Sequence, residues 1–213
     1  MSDVVKSQRE LLLVINLVDQ GQDKWRWLYQ WLDANAEAYT LATLTQFYNR
    51  ISVLKGPAAT CQVFIQELTV MASQPHVKAL DVFLHLHGGK RKLWFEDGVI
   101  GTDTLRDQIK VKSLGHRLRL LYSVACYGET HAQDFVDAGF RTASGARGVN
   151  ANSTHDYPTQ LALWSSGSYY KTAVQQGNNP PLRLMHDNAA RLAGFPDADS
   201  EKFIRGKMYT HHI

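Results

Sequence analysis

Along most of this sequence, apolar runs of strand length alternate with segments whose apolar residues recur at helical spacing. That alternation leaves little room for anything but a mainly parallel sheet covered by helices on both faces. Leu11 to Val18 is a near-continuous apolar run, too short for a helix, and predicts a buried first strand. Trp27, Leu28, Trp31 and Leu32 then repeat at helical spacing, so a covering helix is expected over Asp23 to Tyr39, with these aromatics in the core. A second strand is expected over Phe47 to Leu54, stopped by Gly56-Pro57. The Val63, Phe64, Leu68 and Met71 stripe marks a helix from Thr60 to Ala72.

The second half continues the pattern. Leu80 to Leu86 predicts a third strand that runs into His87-Gly88-Gly89. A short hairpin around Asp97-Gly98 follows, since Asp-Gly favours a tight turn. Thr102 or Asp103 can cap a helix reaching Val111. Arg117 to Val124 predicts a fourth strand, Thr130 to Asp137 a helix, and Phe140 to Val149 a fifth strand. Asn150 to Pro158 is polar and reads as a loop, with helices expected over Thr159 to Gln175 and Leu182 to Ala193. With 213 residues and 44% hydrophobic content, one domain spanning 1–213 is expected.

Several function classes lack support. The net charge is +3, and the densest basic cluster, Lys90-Arg91-Lys92, is too small for a nucleic-acid face. The apolar run at Leu11 falls well short of the roughly 20 residues a membrane span needs. Met1-Ser2-Asp3 lacks the charged, apolar and small-residue regions of a signal peptide, so none is expected, and two cysteines, Cys61 and Cys126, imply no disulfide framework. A soluble cytoplasmic protein with free thiols is the expectation. His85 and His87 share a strand face, yet no nearby carboxylate completes a ligand set, so no metal and no cofactor is expected. His211-His212 reads as an exposed tail.

In parallel α/β sheets, ligands gather at the carboxyl ends of strands. Here one strand ends in His-Gly-Gly and the next in Ala-Cys-Tyr-Gly. If those strands are neighbours, His87 and Cys126 stand side by side, and a histidine can draw a thiol toward its nucleophilic thiolate form. Gly88 and Gly128 could let a substrate backbone approach closely.

The text Val82-Phe-Leu-His-Leu-His87-Gly88, followed about forty residues later by Leu120-Leu-Tyr-Ser-Val-Ala-Cys126, resembles the caspase-like (clan CD) cysteine peptidases. Caspases, metacaspases, clostripain and gingipain belong to that group. The resemblance implies a three-layer α/β/α sandwich and a peptidase acting on a protein or peptide. It makes Cys126 the nucleophile, His87 the acid/base that protonates the leaving amine, and the Gly88 and Cys126 N–H groups the oxyanion donors. Ala125, Cys126 and Gly128 match the caspase signature Gln-Ala-Cys-x-Gly, whereas Val124 replaces its glutamine. In several relatives that cut after basic residues an acid sits at the place of Val124. Asp19, at the end of the first strand, is therefore the candidate to favour a basic P1 residue. The resemblance also makes the segment after Arg147 a candidate processing site, and leaves a homo-oligomer possible.

Two alternatives stay open. A catalytically silent caspase-like interaction module would share the fold. An α/β-hydrolase esterase could use Cys126 with Asp156 and His186, although Val124 does not suit a nucleophile elbow. A nucleotide-binding fold is disfavoured, because Asp19-Gln-Gly-Gln rather than a Gly-x-Gly-x-x-Gly loop follows the first strand.

Overall fold

The computed structural model describes residues 4–210. Arg9–Asn16 forms β1, buried along its whole length. It lies between two parallel neighbours, β2 (Arg50–Lys55) and β3 (Ala79–Gly89). Beyond β3 the sheet continues with a parallel strand, β6 (Leu118–Ser123), then parallel β7 (Thr142–Ala146) and antiparallel β8 (Lys202–Gly206). The order β2-β1-β3-β6-β7-β8 makes β3 and β6 direct neighbours. A hairpin, β4 (Lys92–Phe95) and β5 (Gly98–Gly101), hangs from the end of β3, where His87 to Gly89 leave the parallel sheet and pair antiparallel with β4.

The two-residue side-chain period of the strands sorts the core into two layers. On one face Leu12, Val14, Val82 and Leu84 pack with α2 (Cys61–Ser73), α3 (Thr102–Lys110) and α4 (Glu129–Ala138). On the other, Leu11, Leu13, Phe83, Leu120 and Tyr122 pack with α1 (Arg26–Leu44), α5 (Ser153–Ser165) and α6 (Tyr170–Gly177). A three-layer α/β/α sandwich results. The Thr60 side chain caps α2 by accepting the Val63 N–H at 3.1 Å. One ion pair is built into the sheet core, where Arg119 grips Asp81 at 2.5 and 2.9 Å and Tyr48 donates to the same carboxylate.

Several expectations are corrected. Trp27 and Trp31 are not core residues: they are 65% and 46% exposed, because α1 turns Ala36, Thr40 and Leu44 inward instead. The segment from Asn150 to Pro158 is not a loop. Helix α5 starts at Ser153 and carries Pro158 within it, because tertiary contacts anchor its first turn. The Asn152 carbonyl accepts the N–H groups of His155 and Asp156, and its buried side chain donates to the Gly177 carbonyl at 3.0 Å. This segment is therefore no exposed processing loop, and Arg147 before it is tied to Asp199 and Glu201 at 3.1 and 3.2 Å. The single helix expected over Thr159 to Gln175 is two, split at Gly167 (φ 83°), and α7 (Pro180–Leu192) follows. Strand β8 was not anticipated. Met1 to Asp3 and His211-His212 lie outside the described residues. No helix among the described residues is long and apolar enough to cross a membrane.

Candidate active site

A cavity of about 570 Å³ opens at the carboxyl ends of β3 and β6, and His87, Gly88, Val124 and Cys126 all line it. Strand adjacency alone does not explain how closely the two ends approach. The missing Gly88 side chain does: a Cβ there would sit 2.7 Å from the Cys126 carbonyl oxygen and 2.9 Å from the Ala125 Cβ. Gly88 is thus a contact between the two motifs. Gly128 has a different role from the one expected of it. A Cβ at Gly128 would sit 2.8 Å from Gly145 Cα, so this glycine lets α4 begin directly against β7 rather than admitting a substrate backbone.

Cys126 is half-buried at the turn that follows β6. The next residue, Tyr127, has φ 56°, a left-handed conformation that a bulky side chain rarely adopts. It is held there by its N–H on the Gly148 carbonyl at 2.8 Å and its hydroxyl on Asp197 at 3.0 Å. Burial pushes the Cys126 thiol above its ordinary value. The Asn150 N–H, 3.4 Å from Sγ, the positive charge of Lys202 and the cysteine's own N–H pull the other way. The Asn150 side chain in turn donates to the Val124 carbonyl at 2.8 Å, which fixes that amide beside the sulfur.

His87 hydrogen-bonds through Nε2 to the Leu17 carbonyl at 2.9 Å. A carbonyl only accepts, so Nε2 carries the proton and Nδ1 keeps its lone pair. Burial lowers the His87 pKa, with the Leu17 bond opposing, and the ring is neutral at pH 7. Tyr29 packs edge-on against the imidazole, ring centres 4.8 Å apart. Leu17 is itself fixed, because buried Asp33 accepts its N–H at 3.3 Å and that of Val18 at 3.4 Å. On the opposite side His131, fully buried in α4, hydrogen-bonds the Gly89 carbonyl at 2.6 Å and pins the His-Gly-Gly turn.

Asp19 does not join the site. It is exposed and does not line the cavity; its carboxylate instead lies 3.7 Å from where a Cβ on Gly56 would be. The Asp33 bonds to Leu17 and Val18 turn the chain so that Asp19 emerges toward the β2 end. His85 is buried edge-on against Tyr157, its pKa lowered to about 3 by burial and the charge of Lys202. Cys61 is half-buried on α2, its thiol raised to about 11 by burial and Asp97. Asp156 pairs with Lys202 at 2.5 Å and accepts the Tyr122 hydroxyl at 2.6 Å, so its carboxylate is committed away from His186. Among the described residues no group of three or more His, Cys, Asp or Glu is arranged to hold a metal ion.

Leu17, Tyr29, Asp33, Asn150 and the wall formed by α7 and Phe195 were missed in the sequence. Each acts through a backbone group or a fold-level approach that no motif marks. Asp33 carried the one available signal, an acid on the apolar side of a helix.

No family model and no characterised protein matches this chain by sequence. Its structure is similar to that of caspase-1 from Spodoptera frugiperda, with a TM-score of 0.62 at 14% identity over 97% of this chain and 89% of that one. It is also similar to the Arg-specific cysteine proteinase gingipain R, with a TM-score of 0.59 at 13% identity. That match covers 95% of this chain and 47% of the other, so this chain spans about half of gingipain R's length. The chain has the caspase-like fold.

Proposed function

We infer that this chain is a cysteine endopeptidase with Cys126 as nucleophile and His87 as acid/base. The observation that carries the reading is the convergence of a half-buried thiol and a neutral, carbonyl-anchored imidazole on one cavity, from adjacent strands of a caspase-like sheet. Cys126 Sγ attacks the scissile carbonyl carbon as its proton passes to His87 Nδ1. The amine then leaves with that proton, giving a thioester. Water attacks the thioester, its proton going through His87, and frees the acid while Sγ recovers a proton. The Gly88 and Cys126 N–H groups take the oxyanion.

Because thiol and imidazole both favour their neutral forms, the resting pair is thiol and imidazole rather than an ion pair. The test is intact mass after exposure to peptide acyloxymethyl ketones, in which the thiolate displaces the acyloxy group as a carboxylate. One adduct on the wild type is expected, absent in Cys126→Ala and strongly slowed in His87→Ala. Labelling that survives unchanged in His87→Ala would overturn the dyad. A folded protein that never labels would favour the silent interaction module instead.

A further inference from the structure

Among the described residues that line the cavity, the titratable side chains are His87, His186, Tyr29, Tyr127 and Cys126, and none is an Asp, Glu, Lys or Arg. The Lys24 ammonium lies 5.5 Å from the Trp25 ring centre and 6.0 Å from that of Phe195 but does not itself line the cavity. One side is aromatic, with Trp25 and Phe195 in ring contact at 6.3 Å and Tyr29 beside His87. Beside Phe195, whose N–H donates to the Ala190 carbonyl at 3.0 Å, the end of α7 and the residue after it add Ala189, Ala190 and Ala193, whose short side chains keep the space open. Val124, two residues before Cys126, also lines the cavity and brings no charge to pair with a basic group.

We propose that the group this site selects beside the scissile bond is an uncharged, bulky apolar side chain, aliphatic or aromatic, seated against Trp25, Phe195 and the alanines at the end of α7. This rests on the cysteine peptidase reading for the position of the scissile bond. Burying a basic side chain here would strip its water with no lining carboxylate to pair with it, and an acidic one would find the nearby Lys24 ammonium already stacked on the Trp25 and Phe195 rings outside the lining. An apolar side chain meets only favourable burial, and a pocket of this size accommodates even a large aromatic ring. Ala190 sets the depth: a larger residue there fills the space the side chain would occupy.

The experiment uses one matched peptide series, acetyl-Ala-Ala-X, with X as Leu, Phe, Arg, Asp or Ala. As acyloxymethyl ketones on the wild type, the Leu and Phe members should label Cys126 at least 10-fold faster than Arg and Asp. As amides on Cys126→Ala, they should bind at least 10-fold more tightly. Ala190→Phe should abolish the advantage of Leu and Phe over Ala while iodoacetamide still alkylates Cys126 at the wild-type rate. Arg or Asp peptides that label as fast as Leu and Phe overturn the apolar site and leave the peptidase standing. If nothing labels the wild type but Cys126→Ala still prefers apolar peptides, the peptidase reading fails and the apolar site holds. No preference in either format, or an unchanged preference in Ala190→Phe, overturns the site as drawn.

Discussion

Replacing Asp33 with asparagine separates what this carboxylate costs the fold from what it does for the site. Asp33 is buried, accepts the Leu17 N–H on both oxygens at 3.3 Å, and accepts the Val18 N–H at 3.4 Å. Burial dominates those bonds and the nearby Lys55 charge, raising its pKa from the ordinary 3.8 to about 6. Between those values the folded chain binds the proton more tightly than the unfolded chain. Stability from this group is therefore greatest at acid pH and falls as pH rises through 6. The full change is about 3 kcal/mol, from about 1.4 kcal/mol per pKa unit. Asp33→Asn has no such proton to lose, so relative to wild type it should gain about 2 kcal/mol between pH 4.5 and pH 7, the part of the full change that lies above pH 4.5. Urea unfolding at pH 4.5 and pH 7 reads this directly, and parallel stability curves for the two proteins would refute it. The same variant keeps only one oxygen for two amides, which loosens the Leu17 carbonyl that orients His87. Peptide turnover should fall about 10-fold or more, while alkylation of Cys126 by iodoacetamide at high pH stays unchanged. A variant whose stability no longer falls between pH 4.5 and pH 7, and which turns over peptide more slowly, is the expected signature.

Two further outcomes follow from the site's geometry. Because burial holds the Cys126 thiol above its ordinary value, its iodoacetamide alkylation rate should be low at pH 7 and still climbing past pH 9; a plateau below pH 7 in a pH–rate profile would contradict the neutral resting pair. Peptide mapping should find Cys61, whose thiol burial and Asp97 raise to about 11, likewise slow to alkylate at pH 7. Gly145→Ala places a Cβ 2.5 Å from the Gly128 Cα and 2.6 Å from its carbonyl oxygen, so α4 must move off β7. A loss of about 1–3 kcal/mol is expected, seen as a fall in Tm of roughly 3–10 °C; an unchanged melting curve would mean that contact is slack.

The alternation of apolar runs with helical stripes made the parallel sheet and its two helical layers legible, since the buried strands β1, β3 and β6 have few other ways to satisfy their side chains. His87 and Cys126 were legible as well, because both sit at strand ends and glycines mark where chain meets chain. What escaped was whatever tertiary contact decides. Strand β8 is five residues long and carries a buried lysine, Lys202, whose partner Asp156 lies on another element. Helix α5 starts ahead of Pro158 because Asn152 is anchored to Ser200 and Gly177. Trp27 and Trp31 carry the right spacing but fall outside the stripe of α1 that meets the sheet, a phase that spacing alone does not specify. Asp19 failed for a related reason, since the direction of the chain after β1 is set by Asp33, fourteen residues away in sequence, rather than by its neighbours.

The two candidate catalytic side chains are held by different parts of the fold. His87 is fixed from the β1 side, by the Leu17 carbonyl, the Asp33 carboxylate behind it and the edge of Tyr29. Cys126 is fixed from the β7 side, by the Asn150 amide, the Gly148 carbonyl on Tyr127 and the Gly128–Gly145 contact. The left-handed turn at Tyr127 costs about 1–2 kcal/mol, and its bonds to Gly148 and Asp197 are what make that conformation persist. The halves meet where Gly88 packs against the Cys126 carbonyl. Orientation of the base and exposure of the thiol are therefore separable. On the proposed reading, a change behind Leu17 acts on proton transfer and a change behind Asn150 or Gly145 acts on the nucleophile, with the Gly88 contact among those that couple them. On that reading, a residue larger than glycine at position 88, whose Cβ would meet the Cys126 carbonyl at 2.7 Å, should push His87 and Cys126 apart; peptide turnover in Gly88→Ala checks this, and wild-type turnover would refute it.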